Sequence, residues 1–211
     1  MTISAAADTV IVLDFETTGL SPDQGDRAIE IGAVKLVDGQ VVDTFQQLMY
    51  PGIRIDYFIE SYTGITNSML KNARPCKEVM QDFSDYIDGF NLVAHNASFD
   101  GRFLEAELRR IKRKQQSEFA CSMLIARRLY PNSPNHKLGT LVDYKNLPND
   151  GVFHRALADS QMTAHLWMAM LDDIKSNHSI ETVSFNMMTT LSRTAKAAVP
   201  RFLQREASKL Q

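Results

Sequence analysis

Cysteine is scarce in this chain of 211 residues: Cys76 and Cys121 stand far apart, without a CxxC or Cys/His companion. That excludes a disulfide framework and a cysteine-ligated zinc site, and fits two buried or half-buried thiols in a reducing compartment. No run of 18 apolar residues occurs, so no membrane span is expected. The N-terminus has no basic segment followed by an apolar stretch, so no secretory signal is expected, and the cytoplasm is the expected location. A charge excess is missing too. A formal net charge of −2 announces no global attraction to nucleic acid, and any such contact must come from local patches. Internal repeats and low-complexity segments are absent. What remains is an ordinary soluble composition, 44% hydrophobic and 23% charged, enough for a core without staples.

Patterning predicts a mixed α/β sheet. Strands are expected over Val10–Phe15, Ala28–Leu36 and Val41–Met49, with Asp38-Gly39 as a hairpin turn between the second and third. Pro51 opens a loop expected to hold Ile55 to Thr66, followed by a short helical turn to Lys71. Pro75 starts a helix through about Ile87, with Val79, Phe83, Tyr86 and Ile87 as its apolar stripe and Gly89 as its stop. Asn91–Asn96 reads as a strand and Ala97-Ser98 as the opening of a helix to Ile111. A short strand at Phe119–Cys121, a helix ending near Leu129 and a short helix at Leu138–Val142 follow. Gly151-Val152-Phe153 leads into a long helix over about Arg155 to Ile174. The division expected is one domain over residues 8–174 and a tail over 175–211. In the tail, basic residues outnumber acids, and Phe185, Met188, Leu191, Ala195 and Val199 recur at helical spacing until Pro200 interrupts them. This segment reads as a helix packed on the domain or as a docking or dimerising surface.

The candidate chemistry begins with two acids. Five apolar or β-branched residues lead into Asp14, and strand alternation points Asp14 and Glu16 the same way. Such a pair at the edge of a core is costly unless something positive lies between, and a hard divalent cation suits oxygen ligands. Asp100 falls in the first turn of the helix after His95-Asn96. His154 and Asp159 flank the start of the long helix, five residues apart. On a helix that is about 500° of rotation, so the two would not share a face. A His154 on the entering loop can instead fold back over Asp159.

These residues resemble the DEDD exonuclease superfamily and its DEDDh branch. The motifs are Asp14-Phe15-Glu16-Thr17-Thr18-Gly19-Leu20, then His95-Asn96-Ala97-Ser98-Phe99-Asp100, then His154-Arg155-Ala156-Leu157-Ala158-Asp159-Ser160 with the His-x₄-Asp spacing of the branch. Gly64-Ile65-Thr66, Ala126–Pro131 and Lys137–Leu141 fit as landmarks between them. The pattern is similar to that of the proofreading (epsilon) subunit of bacterial replicative DNA polymerase and its stand-alone homologues. The resemblance implies an RNase H-like mixed five-stranded sheet flanked by helices, with an additional C-terminal helical segment. It also implies 3′→5′ removal of nucleoside 5′-monophosphates with two Mg²⁺ or Mn²⁺ ions about 3.5–4 Å apart. By resemblance, Asp14 bridges both ions, Glu16 and Asp159 complete the first, Asp100 serves the second, and His154 is the general base.

Substrate contacts are expected from the backbone of Thr17, Thr18 and Gly19, with Gly19 tolerating unusual dihedrals. Leu20 is expected as a wedge between bases, Phe99 as a stacking surface and Asn96 as a sugar or phosphate partner. Thr63 stands where proofreading relatives carry His, so that contact is altered or lost, and Cys121-Ser122 replaces a common Asp-Thr. His95 is expected to bond backbone near the site. The basic run Arg109–Lys114 reads either as a solvated helix end or as a phosphate-steering patch. The expected substrate is a single-stranded or frayed 3′ end, with DNA favoured over RNA by the Thr17-Thr18-Gly19 signature. An exoribonuclease of the same chemistry and a non-catalytic, polymerase-associated binding module are the alternatives. A polymerase subunit or a homodimer through 175–211 are the expected partners, and no membrane.

Overall fold

The computed structural model describes residues 5–149, 151 and 154–209. Val152 and Phe153 of the expected lead-in to the long helix lie outside the described residues. In chain order the elements are strands β1 (Val10–Thr17), β2 (Ala28–Val37) and β3 (Gln40–Tyr50), then helices α1 (Tyr57–Thr63) and α2 (Asn67–Lys71). Strand β4 (Arg74–Pro75), helix α3 (Cys76–Tyr86), strand β5 (Asn91–Ala94) and helix α4 (Ala97–Arg110) follow. The chain continues through strand β6 (Phe119–Cys121) and helices α5 (Ser122–Leu129), α6 (Leu138–Tyr144) and α7 (Ala156–His178). Helices α8 (Phe185–Arg193) and α9 (Val199–Ser208) complete it.

The sheet runs β4-β3-β2-β1-β5-β6. β1, β2 and β3 are antiparallel neighbours, while β5 and β6 add in parallel to β1. Five strands match the expected sheet, and the sixth is the two-residue β4 pairing with the end of β3. Asp38 (φ 50°) and Gly39 (φ 75°) both take left-handed backbone, the geometry of a tight two-residue hairpin.

Strand alternation divides the core. Ile11, Leu13 and Phe15 face α3 and α4, packing with Val79, Phe83, Phe103 and Leu104. Val10 and Val12 face the other way, onto Leu166, Trp167, Met170 and Ile174 of α7. Asp14 and Glu16 continue that second row, so the acids lie on the α7 face. β5 pairs with β1 only as far as Val12 and Val93, whereas β1 runs on to Thr17. Beyond Val12 that edge of β1 is uncovered, and a crevice opens at the strand ends where α4 and α7 both begin.

Gly32 sets how closely α7 can approach. It sits opposite Asp14 in the β1–β2 ladder. A Cβ there would lie 2.2 Å from the Ala156 carbonyl carbon and 2.1 Å from the Leu157 nitrogen, so helix backbone rests directly on strand backbone. Ser160 tightens the contact by donating to the Gly32 carbonyl at 2.9 Å.

Three local expectations are corrected. Residues 57–63 form a helix rather than a loop: the Asp56 carboxylate accepts from the Ile59 N–H and Gly64, at φ 70°, ends the turn. The strand read as ending at Asn96 ends at Ala94, because Asn96 takes left-handed backbone (φ 70°, ψ 44°) to turn the chain into α4. Pro200 does not interrupt a helix but lies in the first turn of α9, where a missing N–H costs nothing. The break comes earlier, at Thr194–Ala195.

The tail's apolar stripe packs inward. Phe185, Met188, Leu191, Val199, Phe202 and Leu203 join the core on the α7 face, and Trp167 meets Phe185 with ring centroids 6.2 Å apart. Ala195 of that stripe is exposed. The segment is also tied to the N-terminus, Phe185 donating to the Ala5 carbonyl and Ala7 to the Val183 carbonyl. Among the described residues no helix is long and apolar enough to cross a membrane.

Gly32→Ala is expected to cost about 1–3 kcal/mol or more by overpacking against backbone that cannot rotate away. Urea denaturation checks this, and near-parental stability would show that α7 does not rest on β2 as described.

Candidate active site

Each site residue is placed by a separate device. Asp14 and Glu16 are delivered by the strand period of β1. Asp100 lies across the uncovered edge, its carboxylate accepting from the Phe15 N–H at 3.1 Å. Only 2% of Asp100 is exposed, so that hydrogen bond fixes it. Asp159 lies in the first turn of α7, held by the Gly32 contact. His154 precedes the helix at φ 61°, and this left-handed residue folds the imidazole back. Glu16, His154 and Asp159 each offer one possible ligand atom, all within 4.8 Å of one another. Asp14 and Asp100 adjoin this trio, as their mutual repulsion with it records.

The electrostatics are severe. Burial, and then repulsion from Asp100, Asp159 and Glu16, drives Asp14 well above the ordinary carboxylate range. Burial and the neighbouring Asp159 and Glu30 push Glu16 up to about 8. Burial lifts Asp100 to about 7 against the pull of two backbone N–H groups. Asp159 is raised by burial, with His154 opposing. Among the described residues no lysine or arginine forms an ion pair with any of the four. Arg155 near Glu16 and His154 near Asp159 offset the repulsion only in part, and an acid cluster so little compensated suits a divalent cation.

Two neighbours were not singled out in the sequence. Glu30 is fully buried opposite Glu16 in the ladder, and it is fully bonded. Its oxygens accept from Arg155 Nε at 3.1 Å and the Arg155 terminal nitrogen at 2.8 Å, from the Ala156 N–H at 3.1 Å, and from Gln46 at 3.0 Å. It therefore pins the residue between His154 and α7. The signal was legible, since Glu30 is a lone acid inside the apolar run Ala28–Val34. Tyr62 is the second. Its ring lies 3.9 Å from that of His154, and Phe58 stacks behind it at 5.8 Å. It went unseen because residues 57–63 read as loop.

The expected substrate contacts divide. Leu20 is 77% exposed at the tip of the loop after β1, and Asn96 lines the cleft beside His154 and Asp159. Phe99 is half-buried against Phe103. Thr17 and Thr18 shape their own loop, Thr17 donating to the Gly19 carbonyl at 2.6 Å and Thr18 to Asp26 at 3.2 Å. Gly19 has no positive φ. It is needed because a Cβ would fall 2.5 Å from the Asp26 carboxylate oxygens, which also accept from Ser21. Thr63 is buried, its hydroxyl bonded to the Ile59 carbonyl and the Ile65 N–H, so it does not face the cleft. His95 bonds Ser122 and the His136 carbonyl, each at 2.9 Å, and burial lowers it to about 4. In the basic run, Arg109, Arg110 and Arg113 pair with Glu105, Glu107 and Asp85, at the end of α4 remote from Asp100.

Comparison with known proteins agrees with this geometry. Residues 11–167 match the family model described as Exonuclease (RNase_T). The chain is 38% identical over 168 residues to the PolC-type DNA polymerase III of Caldanaerobacter subterraneus subsp. tengcongensis, covering 78% of this chain. It is 37% identical over 168 residues to that of Bacillus subtilis, covering 79%. The chain spans 12% of the length of these relatives. A structure described as Exonuclease X in complex with 5′ overhanging duplex DNA superposes with a TM-score of 0.69 at 26% identity, over 87% of this chain and 99% of that one. The nuclease domain of 3′hExo, a DEDDh family member bound to rAMP, shares the fold with a TM-score of 0.68 at 24% identity, over 82% and 95%. The chain belongs to the exonuclease family that this model describes.

Proposed function

We propose that the chain removes nucleoside 5′-monophosphates from single-stranded or frayed DNA 3′ ends, in proofreading or repair. The observation that carries this is the gathering of Asp14, Glu16, Asp100 and Asp159 at one strand end, little compensated, with His154 beside them. Asp14 would hold both of two cations, Mg²⁺ or Mn²⁺, with Glu16 and Asp159 completing one site and Asp100 the other. Such ions supply the positive charge that acidifies the attacking water and stabilises the departing 3′-oxygen.

The chain's own residues do the rest. His154 takes the proton of the attacking water. Arg155, held by Glu30, keeps His154 at the helix entrance. The Phe15 N–H holds the Asp100 carboxylate against the strand. Leu20, Asn96 and Phe99, with Tyr62 added, surround the terminal nucleotide, while Thr17, Thr18 and Gly19 shape the loop beneath it. DNA is favoured over RNA by the PolC-type DNA polymerase relatives and by the DNA-bound Exonuclease X. The PolC-type relatives also support work beside a polymerase.

Digestion of end-labelled single-stranded DNA, mismatched duplex and RNA tests the reading. Stepwise shortening from the 3′ end, fastest on single-stranded DNA, is expected, and an RNA rate above the DNA rate would overturn the substrate assignment. His154→Ala is expected to slow single-turnover hydrolysis by about 10²–10⁴-fold with cation binding kept. A near-parental rate would remove the imidazole from the mechanism.

Stability should follow the same charges. Without cations, Glu16 (4.5 to about 8) and Asp100 (3.8 to about 7) hold protons in the folded state that the unfolded chain has released. Their contribution is therefore fully present below about pH 4 and is lost as the pH rises through 7 to 8. His95 runs the other way: it is lowered from 6.5 to about 4, so its contribution is lost as the pH falls through that window. In EDTA the melting temperature should fall from about pH 5 to pH 8.5, because the two acids outweigh the one histidine below pH 6.5 and act without it above. Mg²⁺ should raise it more at pH 8.5 than at pH 6, by at least about 2–4 °C, equivalent to ~1 kcal/mol. Equal shifts at both pH values would show that the acids are not mutually destabilised.

A further inference from the structure

A cleft of about 910 Å³ is lined by Tyr62, His154 and Asp159 of the candidate site together with Arg127 and Lys137. Its volume lies at the upper end of the ~300–1,000 Å³ typical of ligand pockets. Its lining includes one acid of the cluster, Asp159, and two cations, Arg127 and Lys137.

What sets the two cations apart is their place: both line the same cleft as His154 and Asp159. Arg155 is taken by Glu30 and Arg128 by backbone carbonyls. Arg127 is exposed, with the Met123 sulfur at 3.7 Å, Lys137 is exposed as well, and among the described residues neither forms an ion pair. Asp159 and two cations that form no ion pair among the described residues thus line one cleft.

The wall that carries Lys137 is built to stay in place. His136 is held through the His95 ring, whose other nitrogen meets the Ser122 hydroxyl. A neutral imidazole satisfies both as an Nε2–H donor to the His136 carbonyl and an Nδ1 acceptor from Ser122. The His136 ring bonds the Tyr130 carbonyl at 3.1 Å, and the Lys137 N–H donates to the Asn135 side chain at 2.9 Å. Ser133 donates to the Asn135 carbonyl at 2.7 Å. His95 therefore acts as a clamp joining the end of β5, which feeds α4 and Asp100, to the loop bearing Lys137.

We propose that this cleft is the track of the substrate's phosphodiester backbone on the 5′ side of the bond being cut, with Arg127 and Lys137 as its phosphate contacts. The proposal rests on the exonuclease reading. Those phosphates supply the anions that the two cations lack, and the clamp pre-pays the ordering of the loop. Length of strand, rather than the identity of its bases, is then what this part of the protein reads.

The test compares kcat/KM for a single-stranded DNA 12-mer with that for p-nitrophenyl thymidine 5′-monophosphate, which has no phosphate upstream. In R127Q/K137Q the ratio of the two is expected to fall at least tenfold, mainly through KM for the 12-mer. The dependence of log(kcat/KM) on log salt should become shallower by about 1.4, at roughly 0.7 per single-strand phosphate lost. R127E/K137E should deepen both effects, and thermal melting confirms that each variant folds. An active wild type whose ratio and salt slope survive in both variants would overturn this proposal alone. A wild type inert on both substrates would overturn the exonuclease reading and this proposal with it.

Discussion

Mutual repulsion among buried carboxylates is the constraint that orders the rest of this structure. Four acids from β1, α4 and α7 meet where β5 stops pairing with β1, and among the described residues no lysine or arginine is ion-paired with them. Left to relax, such a cluster would move apart or take up protons, and the raised affinities of Asp14, Glu16 and Asp100 record that pressure. The fold therefore has to hold each carboxylate from outside the cluster. It does so with backbone: strand alternation for Asp14 and Glu16, the Phe15 N–H for Asp100, and the seating of helix on strand at Gly32 for Asp159.

Two further glutamates act as fixings. Glu30 at the middle of the sheet binds Arg155 and the first N–H of α7, and Glu107 of α4 binds Arg27 just before β2 at 2.8 and 3.0 Å. Both carboxylates are buried and both are paired, so removing one partner would strand a charge at a cost of about 3–5 kcal/mol. Each tie joins a helix to the antiparallel half of the sheet on one side of the acids. Stability invested in the fixings offsets the instability of the cluster, and a cation would then find its ligands already assembled.

Much of this was legible in the residues. The alternation in Val10–Glu16 gives the shared face of the two acids, Asp38-Gly39 gives the hairpin, and the five-residue spacing of His154 to Asp159 shows that the two would share no face if both were helical, leaving an entering-loop His154 free to fold back. What the sequence concealed was short or non-local. The seven-residue helix at 57–63 has its caps, Asp56 and Gly64, but is too short for an apolar period, and with it went Tyr62 beside His154. Gly19 and Gly32 are plain as glycines, yet their reason is the approach of Asp26 and of α7, partners that only the assembled fold reveals. The two roles of proline differ in the same way: Pro200 opens α9 because the chain had already turned at Thr194–Ala195.

The central claim is that these four carboxylates are one cation-holding unit. Anomalous diffraction from crystals soaked with Mn²⁺ and a nucleoside 5′-monophosphate tests it most directly. The account predicts two manganese peaks among Asp14, Glu16, Asp100 and Asp159, with Asp14 at both. Peaks elsewhere only, or none at these residues, would contradict it.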